Sequence, residues 1–213
     1  MVNFPVEENY MIHIRRISFT TPRARRAALA AEAKALYTEF LGAPDSRKIL
    51  DLVSARLSAA PEESDVVHDL LAHLADRMIE MNKEKNAEIK GFLSFLEGEI
   101  GAHLADLSNK TVIQEYYKHE FSGADKDKVY FIGVLVKNKK KLKAGYDPKS
   151  PDNYKRLQEW HKNSMGKLAP LIARIEARDG LIDRIVYKLY GLTEDEIKIV
   201  KGSISGASFT SIF

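Results

Sequence analysis

The sequence has no cysteine in 213 residues, which excludes disulfides, thiolate zinc sites, iron–sulfur clusters and cysteine nucleophiles. Its longest apolar runs, such as Val129 to Val136, fall well short of the roughly 18 residues that a membrane span needs. No basic-then-apolar run opens the chain, where Glu7 and Glu8 stand instead, so no signal peptide is expected. Glycine is dispersed. No Gly-x-Gly-x-x-Gly, Walker loop or Gly-x-Ser-x-Gly elbow occurs, so a phosphate cradle and a serine nucleophile both lack their usual backbone. Neither sign of charge dominates, and the formal net charge is +3. With 45% hydrophobic and 30% charged residues, the composition is that of a chain that buries a core, neither disordered nor collagen-like. The expectation is a cytoplasmic protein with no membrane partner.

What is present is helical periodicity. Tyr10, Ile12 and Ile14 alternate with Met11, His13 and Arg15 and lead to Ile17 and Phe19, which predicts one short N-terminal strand. Thr21-Pro22 then predicts a helix start, with Thr21 as cap. Leu29, Ala33, Leu36, Tyr37 and Phe40 follow at helical spacing, until Gly42 and Pro44 end the run. Ser46 can cap a second helix. Val67, Leu71, Leu74, Met78 and Met81 form a heptad-like stripe that Ile89, Phe92, Leu96 and Ile100 continue. That stripe predicts a helix of about 40 residues, roughly 60 Å long, unless Gly91, Gly98 or Gly101 breaks it. Thr111 can cap a short helix, and Val129 to Val136 reads as another. Ser150-Pro151 opens a long helix, in which Pro170 predicts a kink or a split one turn earlier. Leu181 to Leu189 is amphipathic, Gly191 stops it, and Thr193 to Glu196 is a capping box.

Catalytic chemistry is hard to find in this pattern. His68 and His73 are five apart, about 140° around a helix, so they do not make a His-Glu-x-x-His metal site. Glu88-Ile89-Lys90 and Glu196-Ile197-Lys198 match the end of a nuclease Asp…Glu-x-Lys pattern, but neither has a suitably spaced upstream acid. Two cationic clusters stand out instead. Arg15, Arg16, Arg23, Arg25 and Arg26 surround the expected strand-to-helix turn, where arginine forks and a helix N-terminus both suit phosphate. Lys137, Lys139, Lys140, Lys141 and Lys143 form the second cluster, able to sit on a DNA backbone.

The stretch from Leu181 to Ile197, with its Tyr190-Gly191-Leu192-Thr193-Glu194 ending, resembles the C-terminus of adenine-specific DNA methyltransferases. The methyltransferases in question belong to type IIG restriction–modification and BREX-like phage-defence systems. Ile14 to Pro22, Met81 to Leu93 and Asn109 to Tyr117 are similar to other parts of that family's tail, so the likeness spans about residues 10 to 202. The family's Asn-Pro-Pro-Tyr motif and its Gly-rich S-adenosylmethionine loop are absent here, so no catalytic residue carries over. The resemblance implies the helical region that completes target recognition, with any S-adenosylmethionine bound by a catalytic domain outside this chain and no cofactor within it.

The reading is a mainly α protein with long antiparallel helices, as a helical bundle or coiled-coil-like arms, and a short N-terminal strand. Residues 1–21 would be an extended remnant of a recognition domain, 22–202 a helical domain and 203–213 a flexible tail. The chain would be a separated reading frame, a subunit or a piece of a larger protein. The expected function is a non-catalytic DNA-binding and specificity module, partnered by DNA and by a methyltransferase portion or subunit. Arg15, Arg16, Arg23, Arg25 and Arg26 would contact the backbone, with Lys139, Lys140 and Lys141 second. The alternative is a helical protein-interaction or oligomerisation module without DNA affinity, its Val67 to Ile100 stripe pairing with another chain, as in a homo-oligomer.

Overall fold

The computed structural model describes residues 15–206, with the backbone alone over 203–206. Among them are seven α-helices: α1 (Arg23–Gly42), α2 (Arg47–Leu57), α3 (Ser64–Ile100), α4 (Lys110–Gln114), α5 (Phe131–Lys137), α6 (Pro151–Tyr190) and α7 (Glu194–Gly206). Three short 3-10 turns punctuate the stretch between α3 and α6. The protein is mainly α, as its periodicity predicts.

The described part of the expected N-terminal strand is not a strand. Tyr10 to Ile14 lie outside the described residues, and 15–20 carry neither strand nor helix. The physical reason is the lack of a partner, since no strand among the described residues offers the ladder that an isolated strand requires. Side chains hold this segment instead. Arg15 donates to the Leu189 carbonyl at 2.5 Å, and the Thr21 N–H and hydroxyl donate to Asp65 at 3.0 and 2.6 Å. Thr21 therefore does not cap α1, whose N-cap is Pro22. Ser46 stands at the N-cap of α2 without making a side-chain cap bond; its hydroxyl accepts from Arg184 at 2.7 Å. At α4 the cap position belongs to Asn109 in a left-handed conformation, not to Thr111.

The two long helices are unbroken. α3 passes through Gly91 and Gly98 and ends at Gly101, whose φ of 63° leaves the helical region. A Cβ at Gly101 would lie 2.7 Å from that of Lys143, so glycine is required there on two counts. α6 runs through Pro170 without the expected split. Buried Leu168 and half-buried Ile172 pack into the core on either side of the proline, and this packing outweighs the lost backbone bond. α6 does not stop before Leu181 either. It ends at Gly191, where the Leu192 N–H reaches the Tyr187 carbonyl and the Gly191 N–H that of Lys188, the Schellman arrangement. The capping box of α7 forms as the sequence predicts: the Thr193 N–H and hydroxyl both donate to Glu196, at 2.7 and 2.8 Å. α7 continues to Gly206, beyond the point where a flexible tail was expected.

Contacts divide the described residues into two compact units. Unit 1 contains residues 15–74 and 181–206. Here α1 packs on α2, with Ala33, Tyr37, Phe40, Ile49, Leu52 and Val53 buried. Unit 2 is Ala75–Gly180. In it α3 and α6 run antiparallel, as successive bonds show: Arg156 to Glu99, Lys167 to Glu88, and Arg178 to Met81. Its core is aromatic, built from Phe92, Tyr116, Phe121 and Phe131 around α4 and α5. The heptad-like stripe is part of the chain's own interior: Val67, Leu74, Met81, Phe92, Leu96 and Ile100 are all buried.

Candidate nucleic-acid interface

The arginine cluster lies in unit 1, beside an acidic run at the start of α3. Arg15 pairs with Glu62, and Arg25 pairs with Glu63. Glu63 is itself buried and accepts a second arginine, Arg56, at 2.8 Å. Arg26 makes a bidentate contact with Asp69, at 2.7 and 2.5 Å, and lies 4.6 Å over the Phe19 ring. The guanidinium of Arg25 holds the Glu63 carboxyl below its ordinary range against the opposing effect of burial, and Arg26 does the same for Asp69. Three of the five arginines expected on phosphate thus already hold carboxylates of the same chain. Arg16 and Arg23 are exposed and have no such partner among the described residues.

The sequence has a reason to build this clasp. Asp65 lies in the first turn of α3, where a carboxylate complements the positive end of the helix. The same acidic run faces a basic strap some forty residues earlier, and planar arginine forks fit carboxylates in pairs. A signal for the clasp was present in Glu62-Glu63-Ser64-Asp65 and Asp69, but local spacing does not show which cations meet which acids.

The lysine cluster lies in unit 2 and is built differently. Lys137 closes α5, and Lys139, Lys140 and Lys141 form one 3-10 turn. Lys137, Lys139, Lys140, Lys141 and Lys143 are all exposed. The backbone beneath them is fixed by Asn138, which is only 3% exposed. Its amide donates to the carbonyls of Ser108 and Val134 at 3.0 and 2.9 Å, and its Oδ1 accepts from the Ser108 N–H at 2.9 Å. Buried Leu142 anchors the far side, and the Lys143 N–H bonds to the Ile100 carbonyl at 2.8 Å. One lysine has a carboxylate among the described residues, Lys139 with Asp147 at 2.6 Å. Lys141 reaches only the Asp106 carbonyl, and the Lys143 ammonium lies over the Tyr146 ring. Lys137 and Lys140 have no ion-pair partner among the described residues.

The remaining sequence motifs resolve into structural roles. His68 sits edge-on to Phe19 beside Asp69, and His73 is edge-on to Tyr37. Glu88 accepts from Ser164 and Lys167, while Glu196 serves the capping box. No group of three or more histidines and carboxylates placed for a metal occurs among the described residues. Sequence reasoning missed Asn138, which fixes the lysine turn, and His161, an imidazole surrounded by the rings of Phe92, Tyr116, Phe121 and Phe131. His161 Nε2 is buried with no hydrogen-bond partner, and burial lowers its pKa from 6.5. The Tyr116 hydroxyl beside it bonds to Ser164 at 2.6 Å, and Ser164 in turn donates to Glu88 at 2.9 Å. No helix among the described residues is long and apolar enough to cross a membrane.

Comparison with known sequences gives one family: the model described as "Domain of unknown function (DUF8810)" matches residues 64–186, which cover all of unit 2. No curated protein and no solved structure matches the chain.

Proposed function

Since this chain belongs to the DUF8810 family, we propose its role from its own residues: a non-catalytic helical module that grips the DNA backbone. We place it in a restriction–modification or phage-defence system, beside an adenine-specific methyltransferase portion or subunit. That placement is supported only by the sequence resemblance over about residues 10 to 202. The observation that carries the DNA reading is the lysine turn. Five exposed ammonium groups stand on a backbone fixed by Asn138, Leu142 and the Ile100 carbonyl, with a single carboxylate partner among the described residues. Rigid display lowers the entropy lost on docking, and unpaired ammonium groups keep their charge available to phosphate. Lys137, Lys139, Lys140, Lys141 and Lys143 are the proposed contacts, with Arg16 and Arg23 as secondary ones. Such contacts position the duplex without reading its sequence.

The test is fluorescence anisotropy on a labelled duplex at low salt. The triple variant K139A/K140A/K141A should bind about tenfold more weakly or worse, with an unchanged melting temperature. Undiminished affinity in that folded variant would contradict the proposal.

A further inference from the structure

Unit 2 carries a second seam on its long helices, separate from the buried stripe. On α3 it is Glu84, Glu88, Gly91 and Phe95, and on α6 Trp160, Asn163, Lys167, Pro170 and Arg174. These steps of three and four residues are the spacing by which one helix pair meets another. A groove runs between the two rows, about 290 Å³ in volume at its charged end. Its aromatic end is formed by Phe95, 42% exposed, set edge-on against Trp160. Midway, a Cβ placed on Gly91 would meet nothing within 4 Å, so the floor lies open.

The charges of the groove are sorted by helix: Glu84 and Glu88 on α3, Lys167 and Arg174 on α6. Glu88 and Lys167 satisfy each other within the chain at 3.1 Å. Glu84 and Arg174 are exposed and have no partner among the described residues, although they line the same end of the groove. They fall at one level of the antiparallel pair, between the Glu88–Lys167 and Met81–Arg178 contacts.

We infer that this groove is a self-association face whose occupant is a second copy of the chain. A two-fold axis parallel to the helices lays α3 of one copy over α6 of the other at the same level. It sets Glu84 over Arg174 of the second copy, and by symmetry Arg174 over the other Glu84. Phe95 then meets the second copy's Trp160, and Gly91 lets the backbones approach. An axis across the helices would instead lay acid on acid. The groove extends about 17 Å along the helices from Glu84 to Phe95. Across two helices each about 10 Å wide, that is a footprint near ~350 Å² per copy, below the ~800 Å² of a standard interface. The dimer is therefore weak and concentration-dependent. It makes no use of the lysine turn and stands whether or not the chain binds DNA.

Sedimentation velocity on the full chain, from micromolar to millimolar concentration, tests it. The wild-type sedimentation coefficient should rise with concentration, while E84K and R174E alone each remain monomeric. Mixed in equal amounts, the two variants should associate again, because opposite charges then meet at both symmetry-related contacts. A Cβ at position 91 meets nothing within 4 Å, and leucine improves helix propensity, so G91L should fold at least as stably and yet stay monomeric. Three results would overturn the inference: a wild-type monomer throughout, including one that accepts only another protein's helix; charge variants that associate as the wild type does; or a mixture that fails to recover.

Discussion

Unit 1 and unit 2 each carry a dense cluster of cations, but the two clusters have opposite surroundings. In unit 1, Arg15, Arg25 and Arg26 are joined to Glu62, Glu63 and Asp69, and Thr21 is joined to Asp65, so the basic strap is bound to the acidic start of α3. In unit 2, the lysines at 137–143 project from a fixed turn, with Asp147 as their one carboxylate partner among the described residues. A run of basic residues therefore does not by itself mark a nucleic-acid surface. The deciding factor is whether the chain supplies its own counter-charge. The interiors differ too: aliphatic residues with Tyr37 and Phe40 in unit 1, and rings closed around an imidazole in unit 2.

The largest expected effect tests the aromatic interior. Phe131 is fully buried and touches Phe92, Tyr116, Phe121 and His161. Phe131→Ala should destabilise unit 2 by about 3–5 kcal/mol. Hydrogen exchange should then show protection lost within 75–180, and a urea midpoint unchanged from wild type would refute the cage as a stability element. Next is the clasp of unit 1. Asp65→Ala removes the acceptor for both Thr21 donors and should cost about 1–3 kcal/mol, with exchange rising in α1 and the first turns of α3. DNA affinity should stay as in wild type, since the clasp is structural. A loss of affinity without a loss of stability would reverse the roles given to the two clusters.

The smallest effect at neutral pH belongs to His161, because the imidazole is already neutral there. Burial lowers its folded pKa below the ordinary 6.5, so the unfolded chain takes up the proton first. The stability contributed by neutral His161 is complete above pH 6.5 and is lost as pH falls toward the folded pKa. His161→Phe should remove that acid-side slope from a plot of unfolding free energy against pH. A slope of wild-type size in the variant would place the acid sensitivity elsewhere.

Much of the helical framework can be read from local chemistry. Pro151 opens α6, and Thr193 and Glu196 cap α7, because capping acts within a few residues; the run at 129–136 forms α5 although its β-branched and aromatic residues suit a strand as well. Features set by distant partners cannot be read that way. The expected strand at 10–19 has the right alternation, yet its described part has no ladder to join, and its Arg15 is held by Glu62, 47 residues on. Pro170 carries a strong break signal, which the packing of Leu168 and Ile172 overrides. Of the candidate site residues, the lysines are exposed as the run suggests, whereas the carboxylates paired with Arg15, Arg25 and Arg26 become visible only in three dimensions.

The central claim is that the lysine turn, and not the arginine clasp, offers its charge to phosphate. The dependence of the DNA association constant on salt concentration tests it most directly, because each phosphate contact adds about one unit to the log–log slope. Substituting Lys139, Lys140 and Lys141 by alanine should flatten that slope by about 2–3 units, and R25A/R26A should leave it as it was. A slope untouched by the lysine substitutions but flattened by the arginine pair would contradict the account.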